Sequence, residues 1–471
     1  MTLQCQPFWV RNNRGGGSCA GWLWLMSLLF GLLPLSAQTN FVTIVTNGPA
    51  SNRLNVVFLS EGYTSGQFGQ FLTDATNTAN NFLATAPFAE YAPYLNFFAI
   101  AVASVESGSD HPNDGSYKNT YFNSTYDVYN FISIPSGASG QGKVDALLTT
   151  FLPTANLTIL LVNDPNLGGS DGGGKTAITS IAPVSLAYIP VHEAGHVLAG
   201  LGDEYTDANP GYPDIEEPNT TRETNRAAIK WRAWISTNTP VPTPPTGDYQ
   251  PFVGLFEGAH YHVTGWYRPK LNCLMGSFYD YFCEVCSEAL VLSIYRKVRP
   301  VDSFTPVATN LTVTSPSALS FTLTTLQPAS HTLSFQWLTN GTSVAGATSS
   351  TFTIAPAALK NGTPNTIAVR IVDPTPLVRT DPSNLLSQTR SWTLNVSVPQ
   401  LQLSAPRWLP GAKFAMRVTG VAPQGFAIQA STNLASWLSL STNSLVNGQF
   451  DYTNSPGSNH PSQFFRAVTP P

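Results

Sequence analysis

His192, Glu193 and His196 stand in the order His-Glu-Ala-Gly-His, and Asp203 follows seven residues after the second histidine. Residues four apart on a helix share a face, so His192 and His196 can grip one metal ion. The glutamate between them would lie beside that ion, where it can take a proton from water. Three protein ligands and one open position make a catalytic rather than a structural site, so a third ligand is required. Asp203 is the best local candidate. The chemistry this set could perform is metal-assisted hydrolysis, with one catalytic zinc ion (Zn2+) as cofactor.

Rival constellations carry less. His260-Tyr261-His262 offers an i, i+2 pair that would share one face of a strand, but the only nearby carboxylate is Glu257. Cleft or surface histidines are the plainer reading, and the pair stays open as a source of a ligand or a transition-state donor. Gly169 to Thr176 fits the phosphate-loop pattern G-x-x-x-x-G-K-[ST]. A true phosphate loop runs straight into a helix, whereas Ala177 to Ala182 is short, partly β-branched and stopped by Pro183. A flexible loop at a cleft edge suits it better. No G-x-S-x-G elbow precedes a helix, so a serine nucleophile has no support. Met275, in Asn272-Cys273-Leu274-Met275-Gly276, lies about eighty residues after the histidines. A methionine in a tight turn there could form an apolar floor beneath metal ligands, although a lone methionine more often simply packs a core.

These side chains need a scaffold. Leu54–Leu59, Asn96–Val102 and Leu157–Val162 read as buried strands, and the stretch from Gln67 to Leu83 as a helix. Strands alternating with helices predict an α/β layer. The metal helix is expected to start near Pro190, since proline suits a first helical turn, and to end at Gly200 or Gly202. The chain could then turn back and bring Asp203 to the metal. The Pro/Thr-rich run from Thr239 to Gln250 reads as a surface loop, and Glu284 to Lys297 as a closing helix. Beyond Pro300 short Thr/Ser/Val-rich alternating runs such as Phe321–Thr324 and Leu333–Trp337 predict an immunoglobulin-like β-sandwich without its usual cysteines. From about Gln400 a small all-β module follows, with strands near Phe414–Val418, Phe426–Gln429 and Gln463–Arg466. The expected organisation is a signal peptide at 1–37, a zinc peptidase domain at 38–300 with an N-terminal α/β part, a sandwich at 301–399 and the last module at 400–471.

Of the 471 residues only 11% are charged, and the net charge is −4. No basic stripe or acidic tail marks a nucleic-acid partner. Arg11 and Arg14 precede an apolar run from Ala20 to Leu35 that ends Leu35-Ser36-Ala37-Gln38. That order describes an export signal cut after Ala37. The run is short for a membrane anchor and is broken by Gly31 and Pro34, and no later stretch could span a membrane. The mature protein would be secreted, periplasmic or displayed at a bacterial cell surface. Cys5 and Cys19 leave with the signal; Cys273, Cys283 and Cys286 remain. In an oxidising compartment a disulfide from Cys273 to either partner is expected, leaving one odd thiol. A cysteine-only zinc site would be one ligand short.

The run from His192 to Tyr205 resembles the signature of the bacterial IgA peptidase family of zinc metallopeptidases. That family sets its Asp one residue beyond the position, here Gly202, where the usual metzincin spacing places a His. Matching segments lie in the same order along the chain: Phe58 to Tyr63, Glu106 to Pro112, Lys230-Trp231, Phe256 to Ala259, Tyr267 to Pro269, Cys273 to Met275 and Phe282 to Cys286. The resemblance covers roughly residues 42 to 300. It implies a metzincin-like core and a zinc endopeptidase with His192, His196 and Asp203 as ligands and Glu193 as general base. The substrate would be a protein or peptide, with Tyr261, Tyr267 or His262 steadying the oxyanion. Cleavage of immunoglobulin A does not transfer with the motif. The last module is similar to C-terminal modules on many exported bacterial proteins, and the two C-terminal modules could contact a cell surface or glycan. The rival readings are a surface- or glycan-binding protein with a degenerate or structural zinc domain, and a zinc hydrolase of non-peptide amides.

Overall fold

The computed structural model describes residues 39–127, 129–170, 176–209, 211–277, 280–315, 317–398, 400–422, 424–455 and 462–469. The expected signal peptide and most of the phosphate-loop-like run lie outside these residues. The protein is multidomain and mostly β, with mixed sheets and few helices. No helix among the described residues is long and apolar enough to cross a membrane.

The first sheet is built from β1 (Thr39–Val45), β2 (Leu54–Glu61) and, after helix α1 (Phe68–Ala84), β3 (Leu95–Val102). A two-residue pair, β4 (Thr125–Tyr126) and β5 (Ile132–Ser133), leads to helix α2 (Gln141–Phe151) and then β6 (Ala155–Val162). β7 (Gly169–Ser170) and β8 (Thr176–Ser180) complete the sheet, in the order β1-β3-β2-β6-β8-β7. The four inner strands are parallel, and β1 and β7 are antiparallel edges. Every residue of β2 and β3 is buried, as expected of strands covered on both faces. One face packs Val56 and Phe58 against Phe71 and Phe82 of α1 and against Val191 and Ala194, which belong to the next helix. The other packs Val57 and Leu59 against Val144 and Leu147 of α2.

That next helix, α3 (Pro183–Ala199), carries both histidines. It starts a full two turns before the expected point, with Pro183 at its first turn and Pro190 in its interior. Proline inside a helix leaves the carbonyl four residues earlier without a donor. Here that carbonyl, on Leu186, accepts from the Asn81 side-chain amide of α1 at 3.0 Å. The helix therefore runs through its proline because a neighbouring helix supplies the missing donor. Gly200 ends it in the left-handed region, at φ 62°, as expected.

After α3 a long irregular stretch leads to the hairpin β9 (Phe256–Ala259) and β10 (His262–Arg268), and helix α4 (Glu284–Lys297) packs beside α3. Strands between Val301 and Val396 then form a three-stranded and a five-stranded sheet around Phe321, Trp337 and Trp392. Two three-stranded sheets between Gln402 and Val468 close over Met416, Phe426 and Ile428. These strands fall where the alternating runs predict them. The middle strands are bolted to the first region. Buried Asp373 accepts from Tyr91 at 2.8 Å and Tyr295 at 2.5 Å on one oxygen, and meets His331 at 2.5 Å on the other. Arg53 forks onto Asp302 with two bonds of 2.7 Å.

Candidate active site

Helix α3 sets His192 and His196 on one face, and the backbone around them fixes both rings. His192 Nδ1 pairs with the Leu274 carbonyl at 2.9 Å, and His196 Nδ1 with the Leu201 carbonyl at 2.6 Å. A carbonyl can only accept, so each Nδ1 carries a proton and each Nε2 is the atom left to take a second proton or meet a metal. The two Nε2 atoms stand 3.1 Å apart.

The chain turns at Gly200 and is held there. Asn219 accepts from Gly202 N at 2.7 Å and donates to Gly202 O at 2.8 Å. This clamp brings Asp203 back over the helix, with Oδ1 3.2 Å from His192 Nε2 and 3.4 Å from His196 Nε2. Asp203 Oδ1 is buried and faces the two Nε2 atoms, while Oδ2 accepts from the Tyr261 hydroxyl at 2.7 Å. The Glu193 carboxylate lies within 4.8 Å of the ligating nitrogens of both histidines.

The donor set fits a divalent cation. A tetrahedron with metal–nitrogen and metal–oxygen arms of about 2.0–2.1 Å has edges of about 3.3 Å, and the three spacings here bracket that value. Electrostatics agree. Burial alone would raise the Asp203 carboxyl, but hydrogen bonds and charge from the two histidines outweigh it and hold the group well below the carboxylate range. Burial would lower His196, but its bond to Asp203 and the charges of Asp203 and Glu193 push it up to about 9. The site is an anionic pocket for positive charge, whether proton or metal.

Met275 sits beneath α3 and is fully buried. Gly195 lets it approach: a Cβ there would lie 2.8 Å from the Met275 sulfur and 3.1 Å from Leu201. The floor expected of Met275 is thus a tight packing contact between the two histidines in sequence. The same turn supplies the Leu274 carbonyl to His192, and its Met275 carbonyl accepts from Glu204 N at 2.8 Å.

The set opens onto a cleft of about 500 Å³ lined by Tyr205, Tyr212 and Tyr261, with Phe131, Leu167 and Ile189 among its apolar walls. Sequence reasoning missed Tyr205 and Tyr212; the place of Tyr205, two residues past Asp203, was the available signal. Of the three expected oxyanion donors, Tyr261 lines the cleft, and Tyr267 and His262 do not.

Two expectations are corrected. His260 and Tyr261 are not on a strand: both have φ of 56° in the turn between β9 and β10, so His260 and His262 do not share a strand face. His260 is buried, stacked on Trp266 at 4.0 Å and bonded to the Pro213 carbonyl at 2.6 Å. The expected disulfide is also absent: Cys273, Cys283 and Cys286 are free, with 3.6 Å between the Cys273 and Cys286 sulfurs.

The family model of the IgA peptidase M64 matches residues 42–252 and 245–294, together more than half of the chain. The chain belongs to the IgA peptidase M64 family. That family is one of metallopeptidases, which implies a metal, usually zinc. No curated protein matches it. Among solved structures it is similar to domains from titin at 12% identity, over 34% of this chain and 55% of that one, with a TM-score of 0.14. The three N-terminal domains of the bacteriophage RB49 highly immunogenic outer capsid protein match at 13% identity, 32% and 55% coverage and a TM-score of 0.15. The apo structure of Bacteroides uniformis beta-glucuronidase 3 matches at 9% identity, 72% and 58% coverage and a TM-score of 0.13. The chain spans about half the length of these structures. At such TM-scores the likenesses carry no argument.

Proposed function

We propose that the chain is an exported zinc endopeptidase in which His192, His196 and Asp203 hold one zinc ion and Glu193 is the general base. The observation that carries this reading is the triangle of Nε2, Nε2 and Oδ1 atoms, with edges of 3.1, 3.2 and 3.4 Å, set beside Glu193 in a cleft. When bound, zinc supplies Lewis acidity that activates water and polarises the scissile carbonyl. Glu193 takes the proton of the attacking water and delivers it to the leaving amine. Tyr261 fixes Asp203 through Oδ2, which keeps Oδ1 turned to the histidines, and its hydroxyl is the expected oxyanion donor that borders the cleft. Exposed Phe131 and Leu167 at the cleft suit a substrate with an apolar residue near the cleaved bond.

In the same reading residues 1–37 direct export, 38–300 form the peptidase with a metzincin-like core, 301–399 an immunoglobulin-like sandwich and 400–471 an accessory β module. The test is to purify the protein, measure zinc, and compare peptide hydrolysis by the wild type, Glu193→Ala and chelator-treated samples. Full activity in Glu193→Ala ends the proposed mechanism. A zinc-replete wild type that cuts no member of a peptide library would favour the surface- or glycan-binding reading instead.

A further inference from the structure

Behind the catalytic cluster lies a second group of metal-type side chains. Glu204, Cys273, Cys283 and Cys286 are all buried, and one donor atom from each lies within 4.8 Å of the others. Cys283 caps the N-terminus of α4 and Cys286 stands on its first turn, a C-x-x-C spacing that points two sulfurs to one place. Cys273 enters from the Met275 turn, and Glu204 from the segment clamped by Asn219. We propose that these four residues form a structural zinc site, Cys3Glu, separate from the catalytic one.

Three observations favour a metal over the disulfide expected from sequence. The first is geometry: a tetrahedron with metal–sulfur arms of about 2.3 Å has edges of about 3.8 Å, close to the 3.6 Å between the Cys273 and Cys286 sulfurs. A disulfide needs about 2.05 Å. The second is the carboxylate. Glu204 Oε1 accepts from Asn219 at 2.8 Å and stands 3.6 Å from the Cys286 sulfur, while Oε2 is buried without a hydrogen-bond partner. A buried carboxylate oxygen left bare is costly unless a cation meets it. The third is arithmetic: a disulfide would consume two sulfurs and strand a thiol beside that carboxylate, whereas a four-coordinate zinc uses all four donors. The fourth ligand missing from the cysteine count is thus Glu204. Arg268 donates to the Glu204 carbonyl at 2.8 Å and to the Gly258 carbonyl at 2.6 Å, which sets a fixed positive charge beside the Glu204 end of the cluster.

The site would act as a brace. Glu204 adjoins the ligand Asp203, and Cys273 adjoins Leu274, whose carbonyl orients His192. One ion would tie both supports of the catalytic cluster to α4.

The test uses the full-length protein with the catalytic ligands removed, His192→Ala/His196→Ala. Zinc analysis of this variant should find one ion per chain, and its cobalt-substituted form should show thiolate-to-cobalt charge-transfer absorption. After denaturation in chelator without reductant, all three of these cysteines should alkylate. Glu204→Ala in that background should weaken retention in a chelator titration by more than the roughly 10–100-fold typical of outer-shell changes. A zinc-free variant overturns the proposal, whether one cysteine alkylates, which identifies the disulfide, or all three do. A variant that retains two ions would instead refute the catalytic ligand assignment and leave this site standing.

Discussion

Asp203 and Glu204 share a peptide bond and face different surroundings. Asp203 turns toward two imidazoles at the cleft; Glu204 turns into the enclosed cluster of three sulfurs. Nitrogen and oxygen donors beside open space leave room for water and substrate, whereas an enclosed set of four protein donors leaves none. In the proposed reading two adjacent carboxylates divide between reactivity and rigidity. The Asn219 side chain enforces the division, bonding Gly202 on one side and Glu204 on the other.

The strongest way to break this comparison is at the base. Glu193→Ala should lower kcat/KM for peptide hydrolysis by about 10²–10⁴-fold while metal content stays unchanged. Loss of metal in that variant would mean that Glu193 is itself a ligand. Next comes Asp203→Ala against Tyr261→Phe. The first removes a ligand and should strip zinc from the cleft. The second releases only the support of Asp203 and should weaken zinc affinity by about 10–100-fold, read by competition with a chromogenic chelator. Equal losses would show that Asp203 acts no more directly than its support.

Stability probes the backbone that both clusters share. Gly195→Ala forces a methyl against Met275 and Leu201 and should destabilise by about 1–3 kcal/mol, measured by denaturant unfolding. An unchanged midpoint would show that the floor is loosely packed. Protons give a finer test. In chelated protein, burial lowers His196, but Asp203 and Glu193 outweigh it and raise its pKa to about 9, above the ordinary histidine value near 6.5. A raised pKa stabilises the fold at pH below the unfolded value, and the benefit is lost as pH climbs through the folded value. The chelated protein should therefore lose thermal stability between about pH 6.5 and 9, and His196→Ala should flatten that slope. The smallest effect is at the cleft wall: Phe131→Ala should raise KM a few-fold, about 1 kcal/mol, for substrates with an apolar residue near the cut.

What could be read from sequence divides along the same line. That His192, Glu193 and His196 come together was legible because helical spacing alone does it. The return of Asp203 to the histidines was legible because Gly200 marks the turn. β2, β3 and β6 declared themselves as apolar runs, and α4 was placed correctly. The start of α3 was misread because the rule about proline at a first turn is local, while the Asn81 amide that permits Pro190 comes from another helix. His260 and His262 were misread because nothing local revealed the left-handed turn at His260 and Tyr261. The fourth member of the sulfur cluster was invisible because Glu204 and Cys273 meet only through the tertiary fold.

The bolt at Asp373 bears on how this protein can be taken apart. A fragment ending at residue 300 would keep Tyr91 and Tyr295 in its interior and discard the carboxylate that accepts their hydrogen bonds. It would also bare Trp234, over which the Arg379 guanidinium lies at 4.2 Å, and a patch covered by Leu377, Val378, Leu385 and Leu386. Anyone trimming the gene to a minimal protease should expect an insoluble product unless the segment around Asp373 is retained. A lineage that exchanged these C-terminal strands for others would have to bring a replacement acceptor with them. Those strands share one chassis with the cleft and are not cargo attached behind it.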